Sequence, residues 1–268
     1  IWVSGETASG KTTTLNAMSV FIRPTAKIVS IEDTPEVNIP HPNWAREVVR
    51  QSGGDQSEES GVTMFQLLRA ALRQRPNYII VGEIRGKEGS IAFQAMQTGH
   101  PVLSTFHAAS VAKLIQRLTG HPINIPKTYI DNLNAVIIQS AVHDPNTGKF
   151  KRRVLSVNEI LGYDPSENRF EFIEVFSWEP SDDTFIFRGL GSSYLLETKI
   201  AIMRGIPGHR IREIYDELQL RARILDLMVK AEIFDYAEVW ETIKWVYNVG
   251  VRTALYKLEK RAALKGAL

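Results

Sequence analysis

Residues 5–12 read Gly-Glu-Thr-Ala-Ser-Gly-Lys-Thr, and no other stretch limits what this chain can fold into as strongly. The spacing G-x-x-x-x-G-K-[ST] works where a strand feeds a glycine-rich turn that opens a helix. Its glycines let backbone N–H groups curl around an anion, and the positive end of the helix dipole adds to the attraction. Apolar Ile1, Trp2 and Val3 precede the turn, and 11–22 carry apolar residues at helical spacing, so that context is present. Gly5, Glu6, Thr7, Ala8, Ser9, Gly10, Lys11, Thr12 and Thr13 are therefore candidate nucleotide-binding residues. Lys11 supplies a point charge for the β- and γ-phosphates, and the Thr12 hydroxyl a ligand for Mg²⁺. A fortuitous glycine turn is the bland alternative, against which the flanking strand and helix argue.

Residues 1–150 alternate short apolar runs with helical patterns, the signature of an α/β fold with a parallel-rich sheet. Strands are expected at 1–4, 27–32, 78–83, 101–106 and 135–141, and helices at 11–22, 64–75 and 90–98. The polar, glycine-containing stretch 51–61 is expected to be a mobile surface loop. A turn cluster at 144–149, Asp-Pro-Asn-Thr-Gly-Lys, precedes a change of composition, and a domain boundary is placed near residue 150. Residues 151–160 and 169–178 read as the antiparallel strands of a β-hairpin. From Tyr194 the pattern is helical, with breaks near 205–208 and at Phe234 and Asp235. The expected division is a nucleotide-binding domain, 1–150, then a hairpin plus a mainly helical subdomain, 151–268. A helical stripe of Phe234, Val239, Trp240, Ile243, Val246 and Tyr247 reads as core, with a docking face as the alternative. Because 1–3 looks like the end of a buried strand, a domain upstream of residue 1 is expected to be absent from this sequence.

Two further strand ends carry groups suited to phosphate chemistry. The apolar run 78–83 ends in Glu83, and the carboxyl ends of parallel strands open onto the ligand crevice. A carboxylate there can orient an attacking water, accept its proton, or hold Mg²⁺ through water. Glu32, Asp33 and Glu36 cluster after another strand, where acidic groups can assist proton transfer or hold a hydrated cation. Each of these also reads as a solvated strand-end or turn carboxylate when taken alone. His100 and His107 bracket the run 101–106; a strand-end histidine can report a γ-phosphate, although most lone histidines are satisfied polar groups.

Composition removes several chemistries. The 268 residues include no cysteine, which excludes a disulfide framework, a cysteine-based zinc site and a thiol nucleophile. A formal net charge of +2 gives no reason to expect a nucleic-acid partner. No run of eighteen apolar residues occurs, so no membrane-spanning helix is expected.

Taken together, GETASGKT, SIEDTPE, RPNYIIVGEIR and TGHPVLSTFH resemble, in order and spacing, the Walker A, acidic, Walker B and histidine boxes of the secretion ATPases. That family drives type II secretion, type IV pili and the archaeal flagellum. Beyond residue 150, SVNEILGYDP and EVFSWEPSDDTF resemble its archaeal branch, whose members include archaellum motors. The resemblance implies a RecA-like P-loop fold, ATP and Mg²⁺ as cofactors, and a homo-hexamer. It also implies a polytopic membrane platform protein as partner and a place on the cytoplasmic face of the membrane. Glu83 would be the catalytic glutamate, Glu32, Asp33 and Glu36 the acidic box, and His100 and His107 the sensing histidines. The four-cysteine metal site usual in bacterial type II enzymes is impossible here, so no zinc is expected. Family members carry an N-terminal domain that closes over the nucleotide and supplies arginines. Without it, Arg69, Arg73 and Arg85 are candidate inter-subunit arginines, or ordinary surface ones. A type IV secretion or conjugation ATPase, a nucleotide-binding switch with little turnover, and a nucleic-acid motor are the rival readings.

Overall fold

The computed structural model describes residues 1–50, 61–144 and 147–264; apart from Gly61, the loop expected at 51–61 lies outside the described residues. The chain divides into two compact units, 1–17 with 26–189, and 18–25 with 190–268.

The first unit is built on a sheet. Strands β1 (Trp2–Gly5), β2 (Ile28–Glu32), β3 (Trp44–Val48), β4 (Tyr78–Ile84), β5 (Val102–Phe106), β6 (Ala135–His143), β7 (Phe150–Asp164), β8 (Arg169–Glu179) and β9 (Thr184–Phe187) follow in sequence. Helices α1 (Lys11–Ser19), α2 (Met64–Arg73), α3 (Glu88–Gln97) and α4 (Val111–Thr119) lie among them. Strand order is β3-β2-β4-β5-β1-β6-β7-β8-β9. Pairing is parallel from β3 through β6 and antiparallel from β6 through β9. This is the parallel-rich α/β sheet expected from the sequence, and it places β5 between β1, which leads into the loop, and β4, which carries Glu83.

Strands β1, β2 and β5 are buried along their whole length, which is why they appear in the sequence as unbroken apolar runs. Trp2 anchors the core directly beneath the loop, meeting Phe93 edge-on at 5.5 Å and stacking on Phe106 at 5.9 Å. Helices α2 and α4 start at side-chain caps, Thr63 accepting from the Gln66 N–H and Ser110 from the Lys113 N–H.

Two strands were not expected. In the edge strand β3, Trp-Ala-Arg-Glu-Val mixes half-buried and exposed positions, so its apolar content falls below that of the inner strands. β9 is a four-residue edge strand, mostly exposed, directly after a turn. The sheet also continues without interruption from β6 into β7–β9. The first compact unit therefore runs to Gly189, whereas the sequence division fell near residue 150.

In the second unit a π-helical segment, Leu195–Ile200, runs into α5 (Ala201–Met203), followed by α6 (Arg212–Lys230), α7 (Tyr236–Val249) and α8 (Val251–Leu264). Asp235 caps α7 by accepting the Ala237 and Glu238 N–H groups. Trp240, Ile243 and Val246 pack with Ile224, Met228, Val20 and Ala254, so the centre of the aromatic stripe is core; Phe234 and Tyr247 at its edges are exposed. Among the described residues, no helix is long and apolar enough to cross a membrane.

Candidate nucleotide site

The loop after β1 follows a path few residues accept. Ala8 has φ of 61° and Gly10 of 93°, the left-handed region in which a side chain costs about 1 kcal/mol or more. At Gly10 even a methyl group would collide, because its position lies 2.9 Å from both the Arg152 Cδ and the Gln139 Nε2. Lys11, at the start of α1, donates from Nζ to the Glu6 carbonyl at 2.9 Å, closing the loop on itself. Burial lowers the pKa of this ammonium, and the neighbouring Glu83 carboxylate partly restores it.

A cavity of about 490 Å³ opens at the carboxyl ends of the parallel strands. Its walls include Thr7, Ala8, Gly10, Lys11, Thr12 and Thr13 from the loop and α1, with Glu32, Asp33, Thr34 and Glu36 after β2. Gly82, Glu83 and Arg85 face it from β4, Thr105 and His107 from β5, and Arg152 from β7. Five sequence-distant segments thus converge on one space, as the strand order requires.

β4 is irregular where it meets this cavity. Val81 pairs with Ser104 and Glu83 with Thr105, leaving Gly82 as an extra residue in a bulge. Bulges of this kind re-aim the next side chain. The Thr105 hydroxyl donates to the Gly82 carbonyl at 2.6 Å, fixing the bulge. Gly82 also makes room for Glu32, whose Cγ would lie 3.2 Å from any Cβ there. Glu83 is partly exposed and accepts from the Arg85 guanidinium at 2.6 Å, a bond that raises the Arg85 pKa.

Glu32 differs from its neighbours, being only 1% exposed. Its Oε1 accepts the backbone N–H groups of Glu36 at 2.8 Å and Val37 at 2.7 Å. Its Oε2 is buried 3.7 Å from the Arg46 Nε, without a hydrogen bond. Asn16 on α1 holds the same turn from the other side, donating to the Glu36 carbonyl at 3.1 Å and accepting the Asn38 N–H at 3.0 Å. Glu32 is thereby an anchor of the acidic turn, a part its position in the sequence did not disclose, whereas Asp33 and Glu36 are exposed on that turn.

The other sequence candidates separate. His107 joins the cavity at the carboxyl end of β5, while His100 precedes the opposite end and contacts the Thr98 hydroxyl through Nδ1 at 3.2 Å. Roughly seven residues of extended chain, about 3.3 Å each, lie between them, so His100 does not reach the loop of its own chain. Arg69 and Arg73 are exposed on α2 and line no part of the cavity, and Arg69 lies over the Phe65 ring at 5.9 Å. Gln139, Arg152, Thr105 and Asn16 were not singled out. The Gln139 Oε1 accepts the Thr14 hydroxyl at 2.8 Å, and the Arg152 Nε donates to the Ala8 carbonyl at 2.9 Å. These contacts join residues 125 and 144 positions apart, and no local motif signals them.

Sheet order, glycine loop and converging carboxylates define a P-loop α/β protein of the RecA-like class. The family model described as type II/IV secretion system protein matches residues 1–162. The chain belongs to that family. It is 57% identical over 251 residues to an uncharacterized protein of Methanocaldococcus jannaschii, covering 94% of this chain and 44% of that one. It is 43% identical over 122 residues to the type IV secretion system protein PtlH of Bordetella pertussis, covering 44% of this chain and 35% of PtlH. Among solved structures, the VirB11 ATPase of the Brucella suis type IV secretion system matches with 29% identity and a TM-score of 0.48, over 58% of this chain and 46% of that one. The chain therefore spans under half the length of each of these three relatives.

Proposed function

We propose that this chain binds ATP with Mg²⁺ on the loop 5–13 and hydrolyses it, and that hydrolysis drives motion used in pilus or archaellum assembly or in protein export. The observation that carries the reading is the convergence of Lys11, Thr12, Glu83, Glu36 and His107 on one cavity, at the crevice where an α/β sheet takes its ligands. The residues fit the ligand. The loop is curled by left-handed residues at Ala8 and Gly10, and Lys11 is the cation at its helix end. Among the described residues no cluster of three His, Asp or Glu side chains could cage a metal ion. That suits Mg²⁺, which is commonly held by substrate phosphates, water and one or two protein ligands. Thr12 would be the direct ligand, with Glu83 acting through water.

When bound, Mg²⁺ neutralises charge on the β- and γ-phosphates. The chain's own part is to position and to move a proton. Lys11 holds the terminal phosphates, and the backbone N–H groups of the loop fix the rest of the polyphosphate. Glu83, aimed by the bulge at Gly82, orients the attacking water and takes its proton. In this structure it is paired with Arg85, so it must share or release that partner to act. His107 and the exposed Asp33 and Glu36 face the same space, where they sense or assist.

Family membership supports a wider role. A homo-hexamer on the cytoplasmic face of a membrane, acting on a polytopic platform protein, is the arrangement we infer. A type IV secretion role is the second reading, favoured by the 43% identity to PtlH. Lys11→Ala tests the binding site itself: calorimetric ATP binding should be lost while the circular dichroism of the fold is kept. Unchanged affinity in that variant would remove the assignment.

A further inference from the structure

The loop is gripped by a residue that no P-loop motif contains. Arg152 stands on β7, beyond the parallel part of the sheet, and its side chain reaches back across β6 to the loop. Its Nε donates to the Ala8 carbonyl at 2.9 Å, and its Cδ lies 2.9 Å from where a Cβ of Gly10 would be. From β6 the Gln139 amide closes on Gly10 from the same distance while its Oε1 accepts the Thr14 hydroxyl. Ala8 is the strained point of the loop, a non-glycine residue at φ 61°. The peptide bond after it is planar and trans, so the direction in which Arg152 holds the Ala8 carbonyl also sets that of the Ser9 N–H, which donates to the Glu6 carbonyl at 3.3 Å within the loop. A charged donor on a carbonyl is stronger than a neutral one, which is what a strained turn needs to keep one conformation.

We propose that Arg152 is a positioning residue for nucleotide binding: it holds the loop in its phosphate-accepting shape through the Ala8 carbonyl and the face of Gly10. The inference rests on the ATP-site reading above. A loop held by Arg152 serves ADP and ATP alike, because the part it fixes surrounds phosphates that both possess. Losing the donor should therefore weaken both nucleotides by a similar factor and raise KM, with a much smaller change in kcat.

The test uses Arg152→Ala and Arg152→Met, with Lys11→Ala alongside. Arg152→Met keeps a long stem over Gly10 and so retains the packing, but it has no donor for Ala8. Fluorescent ADP and ATP analogues are titrated into each variant, the thermal midpoint is recorded, and KM and kcat for ATP are measured. Both Arg152 variants should lose about tenfold in affinity for each nucleotide, the loss expected for a hydrogen bond from a charged group. Unchanged affinity in Arg152→Met would overturn the proposal, as would a loss confined to ATP, which would make Arg152 a γ-phosphate contact instead. A lowered thermal midpoint with KM unmoved would make it a brace of the sheet and would also overturn it. Binding that survives Lys11→Ala would remove the nucleotide-site reading and this inference with it. Loss in Lys11→Ala beside full affinity in both Arg152 variants would leave the site reading intact and remove the inference alone.

Discussion

Glu32 and Glu83 illustrate how two carboxylates at equivalent strand ends acquire different parts. Both lie at the carboxyl ends of largely buried strands and both face the cavity. Glu32 is buried with Oε1 tied to two backbone N–H groups, so its part is to hold the turn. Glu83 keeps partial exposure, pairs with the exposed Arg85 and lies near the Lys11 ammonium. Gln at position 32 preserves the Oε1 acceptor, so Glu32→Gln should retain turnover to within about tenfold, well short of the loss of a general base. Glu32→Ala leaves the N–H groups of Glu36 and Val37 unpaired and should lower the unfolding free energy by about 1.5–3 kcal/mol, measurable by urea titration. If Glu32→Gln and Glu83→Gln were equally damaging, the chemical role would have to be shared between them.

At the scale of elements, the bulge in β4 joins the two acidic segments. Gly82 is the point where β4 yields a residue of register and where Glu32 lies against the backbone. Gly82→Val should push Glu32 off its hydrogen bonds, costing about 1–3 kcal/mol as overpacking does, and reduce turnover without touching a catalytic group. A Gly82→Val protein with wild-type melting and turnover would show that the acidic turn does not depend on this close approach. Deeper in the same layer, Trp2→Ala should cost about 3–5 kcal/mol, because the ring fills the space between Phe93 and Phe106 beneath the loop. The inner strands were legible for the same reason that they are stable: both faces are covered, so each reads as a continuous apolar run. β3 was not, since Arg46 and Glu47 break its apolar run, and β9 was not, since four residues directly after a turn are too few to read as a strand. The Gly5–Thr12 loop was legible because its chemistry is local. Arg152, Gln139 and Asn16 reach it through the tertiary fold, and no spacing in the sequence announces a residue delivered from β7.

On the scale of the whole molecule, the sheet carries the candidate nucleotide site in one compact unit, and the helices α5–α8 form a second with its own apolar core around Trp240. The turn at 144–149 looked like a boundary because composition changes there, yet β7 pairs with β6 along nine residue pairs, and pairing decides where a compact unit ends. If neighbouring subunits complete each site, specific ATPase activity should rise more than linearly with protein concentration, in step with oligomer mass by light scattering. A contributed arginine is worth ~10³–10⁵-fold in related phosphoryl transfer, so the rise should be large. Flat specific activity with a monomer throughout would count against the assembled-motor reading. The central claim is that this cavity binds and hydrolyses ATP with Glu83 as the base, and the most direct measurement is phosphate release alongside ATP titration, for the wild type and Glu83→Gln. The account expects ATP to bind both proteins comparably and turnover to fall by about 10²–10⁴-fold in the variant. Turnover in Glu83→Gln equal to wild type, or a wild-type protein that binds ATP and releases no phosphate, would contradict it.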